Sequence, residues 1–247
     1  GYIGNYSNEA ALQHWDIWGR KYTLLGLLAS YDLTGDNNAL KASCRLADHL
    51  LTQVGPGKVN IVKTGNYRGM PSSSILEPMV YLYRRTGDVR YLDFSKYIVE
   101  QWETSDGPKL ISAALSGTPV SERFPHPAVW WSYENGQKAY EMMSCYEGLL
   151  EMYRITGEDD YLKAVEAAVR SIIDSEINIA GSGSAFECWY KGILYQTEPT
   201  YHTMETCVTM TWMKLCFSLL RLTGNPEYAD QIEKSTYNAL MASLKYD

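Results

Sequence analysis

Residues able to do chemistry concentrate in one stretch of this 247-residue sequence: Gly181-Ser-Gly-Ser-Ala-Phe-Glu187-Cys188-Trp189, leading on to Met204-Glu205-Thr206-Cys207. An acid and a thiol recur there, each time close to an apolar helical stretch. A carboxylate and a thiolate two residues apart can ligate one zinc where the backbone is not yet helical, because a helix would turn them about 200° apart. Zinc usually takes four ligands, so Glu205 and Cys207 need partners from Cys188, a histidine or further sequence. The alternative is that Glu205 decorates a helix start, where its charge meets the dipole, while Cys207 is a small buried hydrophobe. Glu187 sits in a segment crowded with aromatic residues, where burial would favour the protonated form of a general acid; a solvated loop glutamate is the plainer reading. Glu187 and Glu205 can also be the paired carboxylates of an ordinary glycosidase.

Other motif patterns are missing: there is no H-E-x-x-H, no Walker A loop, no G-x-S-x-G and no paired C-x-x-C. Gly181-Ser182-Gly183 follows no credible strand and reads as a flexible loop. The histidines His14, His49, His126 and His202 are scattered, and each reads first as a structural or surface residue. Aromatic composition is skewed, with 20 Tyr and 7 Trp against 4 Phe, toward rings that stack and also hydrogen-bond. That suits a sugar-binding cleft, and it equally suits helix interfaces. A formal charge of −7 repels phosphate backbones, so nucleic acid is not an expected partner. No apolar run approaches the roughly 18 residues of a membrane span. The five cysteines are odd in number and irregularly spaced, the pattern of reduced thiols.

The elements that must hold these residues are helices. Thr34-Gly35-Asp36, Thr86-Gly87-Asp88, Thr156-Gly157-Glu158 and Thr223-Gly224-Asn225 each stand between two stretches of helical periodicity. In the third, Leu162, Val165, Val169, Ile172 and Ile173 make one apolar face from which Lys163, Glu166 and Arg170 are excluded. The connections 55–74, 105–136 and 177–203 are long, and the last two carry Trp130, Trp131, Tyr133, Trp189, Tyr190, Tyr195 and Tyr201. Strand alternation is nearly absent. The fold class expected is all-α, an (α/α) toroid of helical hairpins. Four hairpins give about eight helices where six hairpins commonly close the ring, so residues 1–247 are expected to form a single domain, a partial (α/α)6 barrel from a longer polypeptide.

Glu205-Thr206-Cys207 followed by a helix, then Leu222-Thr-Gly-Asn-Pro-Glu-Tyr-Ala-Asp230 and Tyr237-Asn238-Ala239-Leu240, closely resembles the zinc- and cysteine-dependent β-L-arabinofuranosidases of glycoside hydrolase family 127. The Gly1-Tyr-Ile-Gly opening, Tyr67-Arg-Gly and Tyr91-Leu-Asp-Phe-Ser-Lys-Tyr97 are similar to the same family, so the likeness spans nearly the whole chain. It implies a retaining glycosidase with an (α/α)6 barrel followed by β-sandwich domains. Zinc would be held by one glutamate and three cysteines, one of which attacks the anomeric carbon. Glu205 and Cys207 match two of those ligands; the others form a Cys-Cys pair that is not found before Asp247. Glu187 matches the acid/base.

Three departures bear on the substrate. Trp15-Asp16 stands where the family has His-Glu, Gly69-Met-Pro-Ser-Ser-Ser74 where it has Gly-His-x-Glu, and Gln137-Lys-Ala-Tyr-Glu141 where it has Gly-His-Ala-Val-Arg. A related sugar with different polar decoration is therefore expected, on polysaccharide or glycoconjugate side chains, with Trp15, Lys138, Tyr140, Trp189 and Tyr190 as substrate contacts. Lys138 can pair with a carboxylate on an acidic sugar; the alternative is a solvated lysine. Two other readings stay open, a noncatalytic carbohydrate-binding relative lacking the thiol nucleophile and a metal-free glycosidase or lyase working with carboxylates alone. Both cytoplasm and bacterial periplasm are compatible with the sequence.

Overall fold

Four turns of one chemistry organise the chain. At Gly35, Gly87, Gly157 and Gly224 the backbone is left-handed, with φ of 71, 70, 70 and 69°. Each glycine N–H donates to the carbonyl four residues back, on Tyr31, Tyr83, Tyr153 or Leu220, at 2.8–2.9 Å. A Cβ added at any of the four would meet nothing within 4 Å, so handedness and not crowding selects glycine. Past the glycine, Asp36, Asp88 and Asn225 accept from the N–H groups of Asn38, Arg90 and Glu227 at 2.8–3.0 Å and so cap the next helix.

The computed structural model describes residues 1–124, 137–197 and 203–244. Trp130, Trp131, Tyr133, Tyr201, His126 and His202 lie outside the described residues. The chain divides into two compact units, Gly1–Lys109 with Glu151–Gly157, and Leu110–Leu150 with Glu158–Asp247.

In the first unit α1 (Asp16–Thr34) pairs with α2 (Asn37–Gln53), and, after the short α3 (Met70–Ser73), α4 (Leu76–Thr86) pairs with α5 (Val89–Trp102). Their apolar faces close a core of Leu24, Leu28, Leu46, Leu50, Met79, Ile98 and Trp102, all at most 1% exposed. The connection expected at 55–74 is more ordered than a loop, with tight turns at Ile61–Lys63 and Tyr67–Gly69 leading into α3. Gly69 permits this, since a Cβ there would fall 2.4 Å from the Val62 Cα.

The second unit contains α6 (Leu110–Leu115), the greater part of α7 (Ala139–Thr156), α8 (Asp159–Ser175), α9 (Gly192–Tyr195), α10 (Thr206–Thr223) and α11 (Pro226–Ser235), which runs on as a π-helical turn over Thr236–Leu240. α6 packs on α8, and α10 on α11. On α8 Val165, Val169 and Ile172 are buried as the periodicity requires, while Lys163 and Arg170 are exposed. α7 departs from an amphipathic pattern: Met142, Met143, Tyr146, Leu149 and Leu150 are buried, and so are Glu141 and Glu147 on the same helix.

The all-α expectation is borne out. Among the described residues β pairing is confined to isolated bridges, Lys138 with Cys188 and Ala185 with both Cys188 and Thr203 in the second unit. Also among them, no helix is long and apolar enough to cross a membrane, and all five cysteines are free thiols.

Candidate active site

Glu187 lies at the tip of a tight two-residue turn. Ala185 and Cys188 exchange both main-chain hydrogen bonds at 2.9 Å, and the residues between them, Phe186 and Glu187, have φ of 48 and 65°. Turns with both central residues left-handed normally carry Asn-Gly or Asp-Gly, because larger residues resist that conformation. A bulky pair held there stores strain of the kind found at functional sites.

The loop entering this turn is fastened on two sides. Ser235 Oγ donates to the Gly181 carbonyl at 2.6 Å, and the Ser182 and Thr209 hydroxyls share a hydrogen bond of 2.7 Å. Gly181 touches the Ser235 backbone so closely that a Cβ would fall 2.7 Å from its nitrogen. Beyond the turn, the buried carboxylate of Glu176 accepts the N–H groups of Tyr190, Lys191 and Gly192 at 3.0–3.2 Å. Burial pushes the Glu176 carboxyl upward, and those three donors hold it back.

Glu205 is the N-cap of α10, in extended conformation (φ −60°, ψ 136°), and Cys207 is the second residue of the helix. The backbone at Glu205 is thus extended and not yet helical, the condition on which the sequence argument for a shared ligand pair depended. Glu205 Oε2 accepts the Ser184 hydroxyl at 2.8 Å and the Glu187 N–H at 3.0 Å, which ties the two acids of the sequence motif together. Desolvation raises the Glu205 carboxyl above its ordinary range, opposed by the Ser184 bond. Cys207 is exposed, which contradicts the small buried hydrophobe considered from sequence. Cover of part of its surface, and then the charge of Glu205, push its thiol up.

Lys138 differs from both sequence readings. Its side chain is 1% exposed, in contact with Glu187 Oε2 on one side and 3.7 Å from Glu141 Oε1 on the other. It is not a solvated lysine, and an ammonium enclosed between two carboxylates presents no open face to an acidic sugar. The Glu187 side chain itself is 45% exposed, so it is a paired, half-open carboxylate and not the desolvated acid expected from its aromatic neighbours in sequence. Glu141 is the deeply buried member, pushed up to about 7 by burial against the pull of Lys138. Cys188, beside Glu187 and bridged to Lys138, is also buried, its thiol pushed up to about 12 by desolvation.

The structure thus brings Glu187, Lys138, Glu205 and Cys207 together in the second unit. The aromatic candidates fare differently. Trp189 is 2% exposed and offers a ligand almost no surface. Tyr190 is half-buried and stacks on the exposed Tyr195, with ring centroids 6.2 Å apart. Tyr140 is half-buried on α7. Trp15 belongs to the first unit, where it stands at the head of α1 against Trp18 and Tyr67.

Zinc needs more donors than these. A carboxylate oxygen and a sulfur fall short of the three or four protein ligands zinc requires, and among the described residues no group of three or more His, Cys, Asp or Glu side chains is placed to hold a metal ion. The described residues therefore do not make a zinc site by themselves.

Glu141, Glu176 and Ser184 were missed in the sequence. Glu141 lies one helical turn from Lys138, a spacing that brings side chains together. Glu176 follows the C-terminus of α8, where the helix dipole disfavours an acid, and an acid at such a place signals a specific partner. Ser184 carried no comparable mark.

The family model described as β-L-arabinofuranosidase, GH127 catalytic domain, matches residues 1–247. The non-reducing end β-L-arabinofuranosidase of Bifidobacterium longum subsp. longum is 21% identical, over 89% of this chain and 34% of its own length. Among solved structures, a GH127 β-arabinofuranosidase superposes with a TM-score of 0.65 at 23% identity, covering 93% of this chain and 34% of the other. A GH127 β-L-arabinofuranosidase from Geobacillus stearothermophilus T6 gives 0.66 at 18% identity, covering 93% of this chain and 37% of its own. These likenesses show a shared fold, of the class expected from the helical hairpins. The chain spans about a third of the length of the curated relative it matches.

Proposed function

The chain belongs to the β-L-arabinofuranosidase GH127 catalytic-domain family, and from that premise we propose that it carries the acid/base part of a glycoside hydrolase acting on side-chain sugars of a polysaccharide or glycoconjugate. The observation that carries this reading is Glu187: a half-exposed carboxylate on a strained turn, with its main chain and one carboxylate oxygen fixed by neighbours. Residues held in unfavourable backbone conformations by a rigid surround are typical of positions where a reacting group must be placed before the substrate arrives.

In the proposed reaction Glu187 gives a proton to the glycosidic oxygen as the bond to the anomeric carbon breaks, so that the leaving group departs as an alcohol. As that bond breaks a cysteine thiolate bonds to the anomeric carbon, and in the second half Glu187 takes a proton from water, whose hydroxyl joins the anomeric carbon as the carbon–sulfur bond breaks, so that the thiolate and the protonated acid are both restored. A retaining, zinc- and cysteine-dependent course is part of this proposal; Glu205 and Cys207 would supply two of the ligands. When bound, zinc would keep a thiol in its thiolate form near neutral pH. The excess of acids around Glu187 fits a site that handles protons and does not fit one that attracts an anionic substrate.

The test uses full-length protein, its metal content measured, with p-nitrophenyl β-L-arabinofuranoside, the matching pyranoside and a uronic-type p-nitrophenyl glycoside. Release of p-nitrophenol from a neutral furanoside, abolished by Glu187→Gln, is the expected result. Binding without release for every glycoside would favour the noncatalytic reading, and full activity in metal-free protein would remove zinc from the proposal.

A further inference from the structure

The wall opposite the strained turn is residues 137–139. Trp189 N–H donates to the Gln137 carbonyl at 3.0 Å, and Ala139 N–H donates to the Glu187 carbonyl at 2.9 Å. Lys138 lies between them, bridged to Cys188, and its side chain returns to the same glutamate whose main chain the ladder holds. Of the charged trio, Lys138 is 1% and Glu141 4% exposed, against 45% for Glu187. The ammonium is thus walled in, and within the trio the chief way out to solvent runs through Glu187.

A buried lysine is costly unless its partners are excellent, and an apolar residue of similar length often serves stability as well. Here its position serves something else. A glutamate side chain turns about three bonds, and a carboxylate acting on a glycosidic oxygen must be held within a fraction of an ångström. Contact with Lys138 fixes Oε2 against the wall, while Oε1 takes no part in that contact.

We propose that Lys138 is the positioning residue of Glu187, and that Glu141 is the counter-anchor that keeps the ammonium in the wall while the other Glu187 oxygen engages the substrate. This rests on the acid/base reading of Glu187 given above.

Full-length Lys138→Met, Lys138→Arg and Glu141→Gln are compared with the parent on p-nitrophenyl and methyl β-L-arabinofuranosides. Lys138→Met is expected to lower kcat about 10- to 100-fold with KM changed less than about threefold, since misplacing a reacting group by about 1 Å costs about that much. Its loss should be larger on the methyl glycoside, whose poor leaving group depends on a well-placed acid. Lys138→Arg should recover kcat to within about fivefold, and Glu141→Gln should lose about three- to tenfold with the same leaving-group bias. Hydrogen exchange gives a readout independent of turnover: amides of 184–189 should exchange about tenfold faster in Lys138→Met and return toward the parent rate in Lys138→Arg.

Unchanged exchange and unchanged kcat in Lys138→Met would overturn the proposal. Should that variant fail to fold, parental turnover in Glu141→Gln on both glycosides would do so. If the parent releases an aglycone from none of the furanoside, pyranoside and uronic-type glycosides, the acid/base reading fails, and the exchange comparison still decides whether Lys138 holds the turn.

Discussion

A buried charge cluster in the first unit and one in the second contrast in how their charges are matched. In the first unit Asp16 and Arg20 form a closed pair, with side chains 0% and 1% exposed. Asp16 accepts from Tyr2 Oη and the Leu12 N–H at 2.8 Å each, and from Arg20 Nε and Nη2 at 3.3 and 2.7 Å, while Arg20 Nη1 reaches Gln53 Oε1 at 2.7 Å. In the second unit Lys138 stands in contact with two acids, and a third, Glu205, binds the backbone of one of them. Matched, fully satisfied charges on regular helix are scaffold. Acid in surplus, on strained backbone and open at one end, is where chemistry belongs.

The sharpest way to break this contrast is to neutralise one acid on each side. Glu187→Gln should lower turnover about 10²- to 10⁴-fold with little change in melting temperature, measured by initial rates and calorimetry on the same preparation. Asp16→Ala should do the reverse, removing about 3–5 kcal/mol of stability because it leaves a buried guanidinium without its partner; urea unfolding measures it. Equal effects on both properties in both variants would erase the distinction.

The clusters should also answer pH in opposite senses. Burial works upward on Asp16 but is outweighed by Arg20, the Leu12 N–H and Tyr2, so its carboxyl is lowered. Its contribution is present above the unfolded value and is lost as pH falls. Glu141 is raised from 4.5 to about 7, so the protonated acid is the form the fold accepts, and stability declines as pH rises between those values. That decline should amount to at most about 3 kcal/mol, and Glu141→Gln should flatten it in urea midpoints measured between pH 4 and 8. The smallest effect separates site from frame: Asp36→Ala, at a helix cap, should cost about 1 kcal/mol and leave turnover untouched.

The hairpin frame was legible because its signals are local. A threonine, a glycine and a capping residue in a row determine a turn wherever they fall, and the α8 stripe reads directly as a buried face. α7 was legible as helix but not as a buried one, since its acids Glu141, Glu147 and Glu151 imitate a solvated face, and two of them reach cations distant in sequence, Glu147 to Lys214 and Glu151 to Arg84. The same holds at the site. The nearness of Glu187 and Glu205 to thiols is written in sequence, whereas Lys138 as a buried ammonium depends on a ladder between residues about fifty positions apart. Trp189 misled because an aromatic residue in a loop can equally well plug the interior, as it does here.

The four glycine turns admit one more deduction. Each has open space where the carbon of an L side chain would project, so the obstacle there is a backbone angle that disfavours one mirror form. Introduced by chemical ligation, D-alanine should sit at Gly35 or Gly87 without penalty and raise the melting temperature by stiffening the unfolded chain, whereas its ordinary enantiomer should lower it by a cost of about 1 kcal/mol. Stereochemistry alone would then separate two molecules of identical formula, and the frame would serve as its own internal standard for the strain stored at Phe186 and Glu187.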